Sequence, residues 1–296
     1  MLKLDEKKIR KGKPIGLPYK GSKKKISKKI IEIIKQNFGT DKPIYDIFGG
    51  GGAITVECML NGLEVYYNDL DKDITDMFQR VISQDREWIK TLIVSRDEFF
   101  KIKGKTEKTV DDNLKLLVNS FGNIRKNYLY SAEWSDMKYN LAVEIINKHD
   151  VFSGYKQTDT YKNAKRPYDA GKLDKNQVLQ QLQQLEQLQR LQRLEQLERL
   201  EPTNLSYEAF SDIKDAVFYL DPPYENTTHV GYKGKFDSTK LYDWAFEMAK
   251  NNIVLISSYD ISDDRFKCVY EFEKARSTMQ GGICGKTEKL FMAVIT

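Results

Sequence analysis

One apolar stretch, VFYL at 217–220, runs directly into the residues DPPY. Two consecutive prolines cannot continue a strand, because each lacks the N–H of the ladder and restricts the residue before it. The strand is therefore predicted to end at Leu220, and a rigid turn follows, made of Asp221, Pro222, Pro223 and Tyr224. Open α/β sheets bind ligands at the carboxyl ends of their strands, so this turn is a candidate site for chemistry. An ordinary strand-ending turn is the alternative.

A second candidate lies nearer the amino end, where PIYDIF is followed by four glycines at 49–52 and by an apolar segment with helical spacing that ends near Gly62. Strand, glycine turn and helix form the opening unit of nucleotide-binding sheets. The next strand, LEVYYNDLD, closes with Asn68 and Asp69, and an acid at that point can accept hydrogen bonds from ribose hydroxyls. The dinucleotide pattern GxGxxG is not matched, which argues against a nicotinamide enzyme. Taken alone, the glycines are also compatible with a flexible turn.

Composition narrows the class of protein. The 296 residues are 40% hydrophobic and 31% charged, as in soluble globular proteins, and no apolar run approaches the roughly 18 residues of a membrane span. The amino end lacks the apolar block of a signal peptide. Three scattered cysteines and two histidines predict a cytoplasmic protein with no metal site. The first 30 residues hold twelve Lys or Arg against two acids, which suits either a polyanion partner or a solvated tail.

Periodicity predicts a helix at 26–38, a strand AVFYL at 216–220, a helix at 239–250 and a strand at 252–260. This α/β alternation is interrupted by a long, mostly helical insertion. We therefore divide the chain into 1–75 and 212–296, which together form one α/β domain, and an inserted region at 76–211.

The insertion contains a tract in which leucine recurs every third residue from Leu179 to Leu200. Its residues are good helix formers, so a helix ending at Pro202 is expected. At about 100° per residue, successive leucines fall back by roughly 60° and circle the helix axis. The leucines are therefore covered on several sides, either by the rest of the insertion, which we favour, or by another chain.

Together these motifs resemble those of the Dam-like (D12, alpha) class of S-adenosylmethionine-dependent DNA adenine methyltransferases. DPPY is similar to the catalytic motif of that class, 46–53 to its cofactor motif, and LPYKGSKKK to its additional amino-terminal cofactor motif. The order of the motifs also matches. Three positions depart from the pattern: Ile47 replaces a usual proline, Ala53 a frequent serine, and Tyr19 the tryptophan of Dam.

The resemblance implies an α/β, Rossmann-like methyltransferase fold with a mostly parallel twisted sheet and an inserted, mainly helical target-recognition lobe. It implies that Asp221 and Pro222 accept hydrogen bonds from the target amino group, that Pro223 fixes the turn and that Tyr224 stacks on the base. The implied cofactor-binding residues are Tyr19, Lys23, Asp46, Phe48, Gly49, Gly50, Gly51, Gly52, Ala53, Asn68, Asp69 and Asp221.

We therefore predict transfer of a methyl group from S-adenosylmethionine to the 6-amino group of adenine in a specific double-stranded DNA sequence, by base flipping and direct in-line displacement. DNA contacts are predicted for Lys20, Asn123, Arg125, Lys126, Asn127, Tyr232 and Lys233. We expect a monomer without membrane association; a restriction-modification role with a companion endonuclease stays open. The alternatives are a cytosine 4-amino methyltransferase, an RNA methyltransferase and a non-catalytic DNA-binding module.

Overall fold

The computed structural model describes residues 1–18, 22–169, 182–194, 200–225, 236–273 and 287–295. The chain divides into two compact units, one formed by 1–14, 23–75 and 199–296 and the other by 15–22 and 76–198. Four residues with predicted roles, Tyr19, Lys20, Tyr232 and Lys233, lie outside the described residues. Within the described ranges, none of the helices has both the length and the apolar character needed to cross a membrane.

The first unit is built on one six-stranded sheet. Its strands are β1 Ile44–Asp46, β2 Val65–Tyr67, β3 Val217–Leu220, β4 Ile253–Ser258, β5 Phe266–Glu271 and β6 Lys289–Ala293. Their order across the sheet is β2-β1-β3-β4-β6-β5. The first four strands pair in parallel, whereas β6 is antiparallel to both β4 and β5. The predicted α/β fold with a mostly parallel sheet is confirmed.

The described residues form ten α-helices. Their bounds are α1 Ser27–Phe38, α2 Ala53–Leu60, α3 Lys72–Ile82, α4 Arg86–Lys90, α5 Arg96–Lys103, α6 Val110–Val118, α7 Ala132–Lys148, α8 Asp159–Asp169, α9 Gln183–Gln192 and α10 Ser238–Met248. The helices predicted at 26–38 and 239–250 are confirmed as α1 and α10.

The central strands β3 and β4 are buried and packed on both faces of the sheet. One apolar cluster joins β3 and β4 to isoleucines of α1, and a second joins the same strands to α10. All four residues of β3 are buried, which explains why this strand is a continuous apolar run rather than an alternating one. The sheet therefore holds the loops at its carboxyl edge on a rigid support.

Residues 199–211, which the sequence assigned to the insertion, belong to the first unit. Thr203 extends the sheet beside β2, because its N–H donates to Tyr67 O at 3.1 Å and its hydroxyl to Asn68 Oδ1 at 2.9 Å. The chain thus rejoins the sheet before the predicted boundary at residue 211.

In the second unit, the described part of the leucine tract forms helix α9. Leu182, Leu185, Leu188, Leu191 and Leu194 are all fully buried within this chain, and α9 packs against α4 and α6. Internal cover of these leucines is confirmed. The predicted helix end at Pro202 is wrong, because α9 ends at Gln192 and the Leu194 N–H turns back to Leu191 O at 2.8 Å. The tract residues 179–181 and 195–199 lie outside the described part.

Candidate active site

The glycine turn connects β1 to α2 and is shaped by close packing against β2. The Gly49 N–H donates to Asn68 O at 2.9 Å, and Gly52 N–H donates to Gly49 O at 2.8 Å. A Cβ at Gly49 would stand only 2.3 Å from the Tyr67 ring, so no larger residue fits. Gly52 has φ +71°, a left-handed conformation that glycine adopts without strain. The backbone that leads into α2 therefore carries no side chains over residues 49–52.

Asp69 closes one side of this turn. Its Oδ2 accepts the Gly50 N–H at 2.7 Å and its Oδ1 accepts the Asp71 N–H at 2.8 Å. Burial raises the pKa of Asp69 to about 6, although both backbone hydrogen bonds oppose that rise. A carboxylate beside a glycine turn at a helix start suits a ligand that carries ribose hydroxyls. These residues therefore fit a nucleoside-bearing cofactor.

Two other predicted cofactor residues, Asp46 and Asn68, make side-chain hydrogen bonds next to the glycine turn. Asp46 is buried, and its Oδ2 accepts from the Thr55 hydroxyl at 2.6 Å and the Thr55 N–H at 3.1 Å. Burial raises the pKa of Asp46 to about 7. The Asn68 amide donates to Ile47 O at 3.1 Å and to Leu205 O at 2.9 Å. A direct role for either residue in cofactor binding stays a prediction.

The DPPY turn leaves the sheet directly beside the glycine turn. Strands β1 and β3 are parallel neighbours with Asp46 opposite Tyr219, so both turns leave the same edge of the sheet. The Lys23 ammonium lies 2.7 Å from Asp221 Oδ1, and both side chains are largely buried. Burial raises the pKa of Asp221, while the nearby lysine opposes that rise. Burial also disfavours charge on Lys23, but its carboxylate neighbours outweigh this and raise the pKa of the ammonium.

Sequence reasoning missed two residues of this site, Ser257 and Glu288. The Tyr224 hydroxyl lies 2.6 Å from Glu288 Oε1 and 3.0 Å from Asp221 Oδ1. The Ser257 hydroxyl donates to the same glutamate oxygen at 2.6 Å. Burial raises the pKa of Tyr224, which keeps its hydroxyl protonated. We call Lys23, Asp221, Tyr224, Ser257 and Glu288 the DPPY cluster.

The predicted DNA-binding loop at 123–127 lies in the second unit and is held by hydrogen bonds within that unit. Asn123 and Arg125 have φ of +54° and +60°, which is uncommon for residues other than glycine. Their polar atoms bond within the unit: Asn123 Nδ2 donates to Leu117 O at 3.0 Å, and Arg125 Nη1 donates to Asn113 Oδ1 at 3.0 Å. Lys126 and Asn127 are exposed.

Comparisons with known proteins place the chain in a family. Residues 19–276 match the D12 class N6 adenine-specific DNA methyltransferase family. No curated protein sequence is significantly similar to the chain. Among solved structures, the chain is similar to the rRNA methyltransferase AviRa from Streptomyces viridochromogenes, with 11% identity, a TM-score of 0.36, and coverage of 90% of this chain and 84% of that one. Because its family match spans most of its length, the chain belongs to the D12 class of N6 adenine-specific DNA methyltransferases.

Proposed function

We propose that this enzyme takes the methyl group from S-adenosylmethionine and places it on the 6-amino group of a flipped-out adenine in a specific double-stranded DNA sequence. One observation carries the proposal: the glycine turn with Asp69 and the DPPY turn leave neighbouring parallel strands at the same edge of one sheet. A nucleoside-bearing methyl donor and a target base held by these two turns would be adjacent. When bound, S-adenosylmethionine supplies a methyl group on a positively charged sulfur.

The proposed cofactor site is built from the glycine turn and its neighbours. Asp69 accepts hydrogen bonds from ribose hydroxyls, and the backbone of 49–52 lies against the cofactor because glycines leave it uncovered. Lys23 has its ammonium on Asp221, so we propose that it acts at the boundary between donor and target. The other residues proposed for this site are Tyr19, Asp46, Phe48, Ala53 and Asn68.

The DPPY turn increases the nucleophilicity of the target amine. The lone pair of an exocyclic amine is delocalised into the purine ring, so the nitrogen attacks poorly. The Asp221 carboxylate and the Pro222 carbonyl accept hydrogen bonds from the two N–H groups of this amine. These hydrogen bonds favour a tetrahedral nitrogen with a localised lone pair. The Lys23 ammonium lies on Asp221 and opposes the rise in the pKa of this carboxyl that burial causes. Positioning and electrostatics therefore supply most of the rate.

Base flipping costs a few kcal/mol, and stacking on an aromatic ring returns about 1–3 kcal/mol per base. Tyr224 is the proposed stacking surface, since its hydroxyl lies within hydrogen-bonding distance of two carboxylates and its ring meets Tyr259 edge-on, with ring centroids 4.8 Å apart. We propose that the loop at 121–127 reads the DNA, with Lys126 and Asn127 as its exposed polar side chains.

The test is transfer of tritium from labelled S-adenosylmethionine to genomic DNA from a host without DNA methylation, followed by sequencing of the modified bases. We expect N6-methyladenine confined to one short sequence. Methylcytosine as the product, or no transfer at all, would contradict the proposal. Isothermal titration with S-adenosylmethionine tests the donor separately. We further propose that the enzyme works as a monomer in the cytoplasm, which light scattering and cell fractionation can check.

A further inference from the structure

Glu288 reaches the DPPY cluster from the amino end of β6. It directly precedes β6, which is antiparallel to β4 with Ser258 opposite Lys289. The amino end of β6 therefore lies beside the carboxyl end of β4, at the edge that carries the DPPY turn. The Glu288 side chain is only 16% exposed. Burying a carboxylate costs free energy unless the group is paired or hydrogen-bonded.

The hydroxyl of Tyr224 faces two carboxylates but has one proton to donate. It lies 2.6 Å from Glu288 Oε1 and 3.0 Å from Asp221 Oδ1. When both carboxylates are ionised, the hydroxyl serves only one of them. With one additional proton on Asp221, that acid donates to the Tyr224 oxygen while Tyr224 donates to Glu288. The geometry of the cluster therefore accommodates one extra proton.

We propose that the DPPY cluster receives the proton released by the methylated amino group, and that Glu288 is the second carboxylate this requires. During transfer the N6–C bond forms, the S–C bond breaks, and its electron pair goes to sulfur. N6 then carries one proton too many. That proton passes to Asp221, from Asp221 to the Tyr224 oxygen, and the hydroxyl proton of Tyr224 passes to Glu288. Asp221 is left ionised beside Lys23, and Glu288 later releases the proton to solvent.

The charged and titratable groups in and around the cluster are compatible with this path. Lys23 lies 2.7 Å from Asp221 Oδ1 and 3.8 Å from Glu288 Oε1, so it remains next to whichever carboxylate is ionised. The negative charge of Glu288 raises the pKa of Asp221 further and so increases its affinity for the proton. Asp46, Asp69, Tyr219 and Tyr259, on neighbouring elements, also interact electrostatically with members of the cluster.

In this proposed path Glu288 acts on the substrate only through Tyr224, so it is a positioning residue. The inference rests on the proposed function. Its test is single-turnover tritium transfer to unmethylated genomic DNA between pH 5.5 and 8.5. The variants are Glu288→Gln, Tyr224→Phe and the double variant, with Glu271→Gln as a control because this exposed carboxylate lies at the end of the neighbouring strand β5. Cofactor affinity is measured by titration for each variant.

We expect Glu288→Gln to slow transfer about tenfold, less than a direct acid–base group contributes, with cofactor affinity unchanged. The acidic limb of its rate profile should move to lower pH, because Asp221 loses a negative neighbour. The double variant should be no slower than the slower single variant, and Glu271→Gln should match the wild type. If Glu288→Gln slows transfer equally with and without the Tyr224→Phe change, or if the acidic limb does not move, the inference alone is overturned. Absence of transfer by the wild type would overturn the proposed function as well.

Discussion

Asp69 should make cofactor affinity depend on pH. Its carboxylate lies 2.7 Å from the Gly50 N–H, and burial raises its pKa to about 6. In the proposed function, the ionised carboxylate accepts hydrogen bonds from the ribose hydroxyls of S-adenosylmethionine. Because the cofactor selects the ionised form, its affinity should fall as the pH drops through the pKa of the free protein.

The size of the effect follows from that pKa. With a value of about 6, roughly nine-tenths of Asp69 is ionised at pH 7 and roughly one-tenth at pH 5. The dissociation constant should therefore rise about tenfold between these pH values, which corresponds to about 1.4 kcal/mol. Between pH 8 and pH 7 it should change by only about a tenth.

The assay is isothermal titration with S-adenosylmethionine at pH 8, 7, 6 and 5 and constant ionic strength. Asp69→Asn should bind more weakly at pH 8 and lose most of the pH dependence. Glu64→Gln is the matched control, because this exposed carboxylate directly precedes β2 and should behave as the wild type.

The effect of Asp69 on folding has the opposite sign. Its pKa is raised in the folded protein, so it contributes stability that is present below about pH 4 and lost as the pH rises through about 6. Protonation of Asp69 thus cannot weaken binding at pH 5 by unfolding the protein. A wild-type dissociation constant that stays flat from pH 7 to pH 5, or equal pH dependence in Asp69→Asn, would refute the assignment.

Three further predictions concern single contacts. Asp221→Ala should remove most methyl transfer but keep the cofactor dissociation constant within a few fold; near-wild-type turnover would contradict its role. Leu188→Ala and Leu191→Ala should each lower the free energy of unfolding by about 2–5 kcal/mol, and light scattering should still show a monomer. Leu205→Ala is the control, because this leucine is about half exposed. An unchanged melting temperature of the first two variants would contradict the burial of their leucines. Gly49→Ala should cost about 1–3 kcal/mol by overpacking against Tyr67, whereas Gly104→Ala, with 3.5 Å to its nearest neighbour, should be tolerated in the same melting assay.

Much of the fold could be predicted because short stretches of sequence define its elements. Prolines at 222 and 223 end β3 at Leu220, and the glycines at 49–52 separate a short strand from a helix. Asp69 lies beside the glycine turn because two parallel strands bring their ends to one edge. These features depend on backbone constraints within a few residues, which a sequence displays directly.

The rest of the site depends on long-range pairing that no local pattern shows. Glu288 reaches Tyr224 only because β6 inserts antiparallel between β4 and β5. Lys23 was identified through a cofactor motif, yet its ammonium lies on Asp221. Likewise α9 ends at Gln192 although good helix formers continue beyond it, so helix propensity alone did not locate that end.

The triplet repeat of α9 affects how this helix is aligned along its own axis. Sliding it by three residues would exchange every buried leucine for another leucine and would still place a glutamine at the position of Gln184. Glu186 distinguishes the alignments, since it accepts from the Tyr155 hydroxyl at 3.1 Å and pairs with Lys156 at 3.3 Å. Either slide would put glutamine there. One acidic side chain thus marks the alignment of a repetitive helix, and mutations that add or delete a whole triplet would preserve its apolar pattern.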